Sequence, residues 1–381
     1  MAREHEIFLF TLQPEEDFRQ EQIPLFPKNV NIISTFNAVT YRSIFNIFTE
    51  RLGNFINYRI LRKTILTNTN SYFLKSYSLL LQKLDEIKPS VVLYENLESV
   101  DLFSTIVKKR LPSAKQIYDA FNVDSDLWKQ LAKAQKKPLL NSYAVSALKA
   151  EKTLYKKVDI VFCCSKNDQH KLVALNIKPL RSYLIPNGVD SYEKIFDPNL
   201  KKGRNMEILF CGSLDYYPNE EGINWFCKFV FPLIKKTIPH IKLTLVGNNF
   251  KKENYPVCFN DTAIFPEGKV PDLKPYYYRA SVSIAPLLSG SGTRLKILEA
   301  MSYGTPVVST SLGSEGIDVI PGVHIMVAND PVSFANAIIK LLEDDILFNE
   351  TRLRALRLVK EKYEWEKTGK EINSILTQLN F

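Results

Sequence analysis

Two doubly wound parallel-sheet α/β domains in tandem are the fold class this sequence predicts. Short apolar runs of strand length alternate with longer helical stretches along the whole chain, the pattern of parallel strands joined by right-handed crossovers. The chain has 381 residues, enough for two domains with a core each. A polar stretch from Asp190 to Asn205, holding Pro198 and Gly203, separates two repeats of this scheme and reads as a linker.

The elements follow in order. Strands are expected near Ile7–Phe10, Val30–Ser34, Val91–Tyr94, Gln116–Asp119, Ile160–Cys164 and Tyr183–Ile185 in the first half. Helical pattern runs between them, chiefly over 41–84 and 142–157. The second half places strands near Ile208–Cys211, Ile241–Val246, Ala263–Phe265, Val282–Ala285, Val307–Ser309 and His324–Val327. Asp330-Pro331 reads as the N-cap and first residue of a closing helical region that runs to about Leu379. The expected domains are 1–190 and 191–365, with 366–381 a C-terminal helix that packs back on the first. Such sheets bind ligands at the carboxyl ends of their strands. If those edges face each other, the crevice between the domains is the expected site.

The stretch from Pro286 to Ser309 is the most informative part of the chain. A short strand ends at a proline, a Gly/Ser loop follows, and a helix then runs to Gly304, with Pro306 as the stop signal. Gly290 and Gly292 let backbone approach a ligand closely, with Ser291 and Thr293 beside them. Loop amides, the helix N-terminus and the cations Arg294 and Lys296 converge on a place suited to phosphate. Glu299 lies about 9 Å along the axis from Thr293 at about 1.5 Å per residue. Its carboxylate leans back toward that place and can meet a hydroxyl-bearing group on the phosphate. The simpler reading of Lys296 and Glu299 is a surface ion pair. The ordered series of strand, Gly loop, cations, mid-helix Glu and Gly-x-Pro stop favours a nucleotide site.

Gly212-Ser213 and Gly247-Asn248 fall at other strand ends, where an ordinary turn is an equally good reading. Gly268-Lys269-Val270-Pro271-Asp272 precedes Tyr276-Tyr277-Tyr278, which read as helix packing.

Taken together these motifs resemble glycosyltransferase family 4, retaining nucleotide-sugar enzymes of the GT-B fold, in which two Rossmann-like domains face across a cleft. The matching residues include Val158-Asp159-Ile160, Ser165, Ile185-Pro-Asn-Gly-Val-Asp190, Gly212-Ser213, Pro218-Asn219, Gly268-x-Val270, the run from Gly290 to Gly304, and Glu315-Gly316. The likeness runs from about residue 115 onward. It implies that Arg294 and Lys296, with the amides of Gly212 and Ser213, hold a donor diphosphate. Glu299 would accept from ribose hydroxyls, and backbone near Val270 would meet the base. Gly290, Ser291, Gly292 and Thr293 complete the donor side, with no metal and no cofactor beyond the nucleoside-diphosphate co-substrate. Two departures stand out. Ser291 occupies the first position of the family's glutamate pair, as in subfamilies with a Gly-Ser-Gly-Thr loop. Phe121 replaces a histidine in a segment that commonly reads Asp-x-His-Asn, leaving Asn122 as the matching catalytic position there. The N-terminal strand also lacks the usual Gly-rich loop.

The expected partners are a nucleotide sugar and a glycan or lipid-linked acceptor, in polysaccharide or glycolipid assembly. A silent, ligand-binding accessory member is the alternative. A dinucleotide dehydrogenase is disfavoured, because no Gly-x-Gly-x-x-Gly follows the first strand. Bulk properties agree with a soluble globular chain: 45% hydrophobic, 24% charged and a net charge of +9. The clusters Lys108-Lys109-Arg110, Lys136-Lys137 and Lys201-Lys202 each read first as solvated surface, and together they suit an anionic membrane face or a phosphorylated lipid substrate. No basic–aromatic interleaving suggests nucleic acid. Five cysteines fit no disulfide or metal spacing, and no run reaches the ~20 apolar residues of a spanning helix. A cytoplasmic protein, at most peripheral to the inner membrane face, is expected.

Overall fold

The computed structural model describes residues 7–14, 30–36, 80–190, 205–256, 258 and 261–379. Most of the helical pattern expected over 41–84, and the linker core 191–204, lie outside the described residues. The chain forms two compact units. One comprises Met1–Cys163, Gln169–Tyr183 and Gly369–Phe381, the other Cys164–Asp168 and Leu184–Thr368.

In the first unit β1 (Ile7–Pro14) pairs parallel with β2 (Val30–Phe36). A four-stranded sheet follows in the order β3-β4-β5-β6, from Val91–Tyr94, Lys115–Ala120, Ile160–Cys163 and Ser182–Leu184. Its connections include α1 (Leu97–Arg110), α2 (Asp124–Ala134), α3 (Leu139–Glu151), α4 (Leu154–Lys157) and α5 (Lys166–Leu175). Asn96 starts α1 by accepting from the Ser99 N–H at 2.7 Å, and Lys108, Lys109 and Arg110 close it where the helix dipole favours cations. The single helix expected over 142–157 starts earlier and is interrupted at Lys152-Thr153. The Thr153 hydroxyl donates back to the Ala150 carbonyl at 3.0 Å and competes with the ladder.

The second unit holds a six-stranded sheet built from β7 (Glu207–Cys211), β8 (Lys242–Val246), β9 (Ile264–Gly268), β10 (Val282–Ala285), β11 (Val307–Ser309) and β12 (Met326–Val327). Every pairing is parallel, in the order β12-β11-β10-β7-β8-β9. The chain winds outward from β7 to β9, then returns to place β10 on the other side of β7. The carboxyl ends of β7 and β10 therefore flank a topological switch point.

Both faces of this sheet are covered, which explains why its strands read as continuous apolar runs. Ile208, Phe210, Leu243, Leu245, Val282, Ile284 and Val308 face one core, with Phe226, Phe231 and Phe334. Their alternates Leu209, Cys211, Ala285 and Val307 face the other, with Ile297, Leu298, Met301, Leu358 and Val359. The crossovers are α6 (Tyr217–Trp225), a π-helical turn over Phe226–Val230, α7 (Phe231–Thr237), α8 (Lys274–Arg279) and α9 (Leu295–Ser302). Helices α10 (Pro331–Glu343), α11 (Asp345–Lys362) and α12 (Trp365–Gln378) close the chain. Asp330 caps α10 through the Ser333 N–H at 2.9 Å. The five cysteines are buried and form no disulfide among the described residues, and the sulfurs of Cys227 and Cys258 lie 2.9 Å apart, a proximity that their spacing of 31 residues does not announce.

Candidate functional site

A cavity of about 460 Å³ opens at this switch point, within the second unit. The carboxyl ends of β7 and β8 supply Cys211, Gly212, Ser213, Val246, Gly247 and Asn248. The chain after β10 supplies Ser289, Gly290, Ser291 and Thr293, and α9 supplies Leu295, Lys296 and Glu299. Lys269, Val270 and Leu273 line it from the segment after β9.

The floor depends on close backbone packing. A Cβ on Gly247 would sit 1.7 Å from the Gly212 carbonyl oxygen, so only glycine fits there. Gly290 and Gly292 take φ of 111° and 81°, which lets the loop turn over the cavity before α9 begins.

Arg294 is the N-cap of α9 and is 8% exposed. Its Nη1 donates to the carbonyls of Ser291 and Gly292, so the guanidinium braces the loop it terminates. Its Nη2 is buried without a hydrogen-bond partner among the described residues. A buried cationic donor without an acceptor is costly to maintain, and an anion entering the cavity relieves that cost. Burial lowers the Arg294 pKa, with Tyr216, Glu315 and Asp168 opposing.

Lys296 donates to Asn219 Oδ1 at 2.6 Å and lies 4.2 Å above the Phe210 ring. Asn219 is itself fixed, because its Nδ2 donates to the Ser213 carbonyl at 2.7 Å. The ammonium is thus held beside the loop after β7. Burial first, and then the Arg294 charge, push it down to about 7, against the opposing pull of Cys211 and Glu299. Lys296 and Glu299 are not a surface ion pair: both line the cavity, and each has its own partner.

Glu299 Oε2 accepts from the Tyr277 hydroxyl at 3.0 Å. Burial raises its pKa, opposed by the Tyr277 hydrogen bond and by Lys296. Tyr277 is fully buried and stacks on Tyr303 with centroids 4.9 Å apart. It is a packing residue, as the sequence suggests, and it also orients the carboxylate, which the sequence does not suggest.

One expected role is corrected. The Gly212 N–H donates to the Val246 carbonyl at 3.0 Å, at the end of the β7–β8 ladder, and is unavailable to a ligand. The Ser213 amide is the remaining donor of this turn. Its hydroxyl is held by Asp215 at 2.7 Å. Gly212 serves the site by its missing side chain, since a Cβ there would meet Lys296 Nζ at 2.9 Å.

Of the positions singled out in the sequence, Gly212, Ser213, Val270, Gly290, Ser291, Thr293, Arg294, Lys296 and Glu299 line this one cavity. Gly292 lies in the loop without lining it. Asn122 and the exposed Phe121 belong to the first unit, in the turn between β4 and α2. Near that turn the buried Glu151 accepts from the Ser125 N–H at 3.1 Å and from its hydroxyl, and burial pushes it up to about 7. Asn219, Tyr277 and Glu315 are the contributors missed as side chains with a task. Glu315 accepts from Asn167 in the segment Cys164–Asp168 of the same unit.

Two parallel α/β units, the second with the strand order of a dinucleotide-type sheet and a cationic cavity at its switch point, define a GT-B fold. Residues 205–344 match the family described as Glycosyl transferases group 1. A protein in the cps region of Klebsiella pneumoniae, described as an uncharacterized 44.6 kDa protein, is 33% identical over 175 residues, 44% of this chain and 45% of that protein. The match thus spans less than half the length of that relative. Among solved structures, sucrose-phosphate synthase from Thermosynechococcus elongatus superposes with a TM-score of 0.71 at 18% identity, over 98% of this chain and 89% of that one. HepE from Anabaena in complex with UDP-glucose gives 0.66 at 13% identity, over 98% of this chain and all of that one. At these identities the two structures speak for the fold. Among the described residues no group of three or more His, Cys, Asp or Glu is placed to hold a metal ion, and no helix is long and apolar enough to cross a membrane.

Proposed function

We propose that the protein is a retaining glycosyltransferase of family 4 that moves a sugar from a nucleoside-diphosphate donor to a glycan or lipid-linked acceptor. The observation that carries this reading is the pairing of Lys296 and the unsatisfied Arg294 Nη2 around one cavity, with Glu299 one turn of α9 beyond. Two fixed cations and helix-start amides would neutralise the leaving diphosphate without a metal, in a site preorganised before the donor arrives. Glu299, held by Tyr277, would accept from ribose hydroxyls, and the backbone at Val270 would border the base. The cps-region relative supports polysaccharide assembly as the setting.

UDP-glucose is the natural first donor to assay, since HepE is described with it bound. A panel of nucleotide sugars should reveal one that the protein hydrolyses slowly and transfers when an acceptor is supplied. Lys296→Ala should reduce that turnover by about 10²–10³, the range for removing a preorganised donor to developing charge. Glu299→Ala should weaken donor binding by at least about tenfold, the loss of ribose hydrogen bonds to a charged group. Wild-type turnover in the first variant and wild-type donor affinity in the second contradict the site assignment. Phe121 favours one second reading, a ligand-binding member without turnover, because a phenyl ring cannot hydrogen-bond a transferred sugar. Binding of a nucleotide sugar without hydrolysis or transfer, across the panel and with lipid acceptors, would select it.

A further inference from the structure

We propose that the α2–α3 hairpin of the first unit is a docking surface for an anionic phospholipid membrane. The inference is independent of the reading of the cavity. Beyond the first turn of α2, which carries Asp124 and a Lys171-paired Asp126, the chain from Leu127 to Val158 holds eight lysines, and its one acid is Glu151. Glu151 is 1% exposed and is spent on Ser125, so it offsets little of that charge at the surface. Lys157 pairs with Asp101, and Lys156 lies over the Tyr155 ring. The other six, Lys129, Lys133, Lys136, Lys137, Lys149 and Lys152, are exposed and have no carboxylate partner among the described residues.

Their spacing gathers them. Lys129, Lys133 and Lys136 fall four and three apart on one side of α2 and its final turn. Val145, Lys149 and Lys152 repeat that spacing on α3 and its C-cap. The turn between the helices is tight: the Lys137 N–H reaches back to the Ala132 carbonyl at 3.1 Å, and Lys136 takes φ of 52°. The rings of Trp128 and Tyr143 meet at a tilt of 30°, centroids 5.1 Å apart, and tie the helices together. Among the lysines stand two aliphatic side chains, Leu139 at 65% and Val145 at 53% exposure.

Unpaired lysines around exposed aliphatics match the boundary between headgroups and acyl chains, where amines meet lipid phosphate and aliphatics leave water. A nucleic-acid surface would offer aromatic rings for bases to stack on. Here Trp128 and Tyr143 are half-buried and occupied with each other.

The test is pelleting of the full chain with phosphatidylcholine vesicles, with and without phosphatidylglycerol. The wild type should pellet with the anionic vesicles alone and be released by raised salt. Lys133→Glu, Lys136→Gly and Lys137→Glu combined should weaken binding by at least about 100-fold, at about fivefold per lysine. Glycine suits the left-handed backbone at Lys136, so the turn survives, and an unchanged helical spectrum and melting point check this. A control with the same charge change elsewhere, Lys236→Glu, Lys251→Gln and Lys340→Glu, should bind as the wild type does. Wild type that stays in solution, equal binding to neutral vesicles, or equal loss in the control would overturn the proposal. So would capture by an RNA homopolymer with none by vesicles.

Discussion

Lys296 carries the most distinctive electrostatics of the site. Its ammonium is held near 7 by burial and by Arg294, so at neutral pH the free protein is a mixture of charged and neutral forms. A bound diphosphate favours the charged form, so the pKa is higher in the complex than in the free protein. Binding then takes up a proton between those two values, and affinity falls as pH rises through about 7, by up to tenfold per pH unit. Above pH ~7 the ligand's phosphate is already fully ionised, its last pKa being about 6, so the slope there belongs to the protein. Calorimetric titration of a nucleoside diphosphate at several pH values, in buffers of different ionisation enthalpy, measures both slope and proton uptake. A flat affinity from about pH 7 to about 9 contradicts this assignment of Lys296. Arg294, Lys296 and Glu299 were legible because they are neighbours in one helix start. Asn219, which holds Lys296 from 77 positions away, and Tyr277, which holds Glu299, were not, since only the folded sheet brings them together.

At the level of elements, the switch point follows from strand order, and strand order rests on close contacts that leave no room for side chains. Gly247 is the sharpest instance. Gly247→Ala puts a methyl group 1.7 Å from the Gly212 oxygen, a backbone atom that cannot swing aside. The expected cost is about 1–3 kcal/mol, seen as a fall of some 2–4 °C in melting temperature per kcal/mol. A melting temperature equal to wild type shows that the β7 and β8 turns can separate freely, against the geometry described. Strands such as Val282–Ala285 and Val307–Ser309 were readable to the residue because buried parallel strands are short apolar runs with clear ends. The break between α3 and α4 was hidden, because Thr153 is compatible with helical pattern and acts through its hydroxyl. The Gly212 amide was misassigned for a similar reason. A glycine at a strand end looks available until the neighbouring strand is known to claim it.

Across the molecule, the two units differ in how much chemistry their sequences expose. The second concentrates its cations, glycines and carboxylate in one contiguous stretch, and the family match covers it. The first presents Phe121, Asn122, a buried Glu151 and a lysine-rich hairpin, which bear only on the proposed acceptor and membrane roles. The central claim is that the cavity between the ends of β7 and β10 seats a nucleoside diphosphate. Its most direct test is equilibrium binding of nucleoside mono- and diphosphates to the wild type and to Lys296→Ala, with melting temperature as the check on folding. The account predicts that at least one nucleoside diphosphate binds, more tightly than its monophosphate. It also predicts that Lys296→Ala weakens the diphosphate by at least about tenfold, the loss of one charge-assisted contact, while the monophosphate changes less. Equal affinity of the two proteins for every diphosphate, or no binding of any, contradicts it.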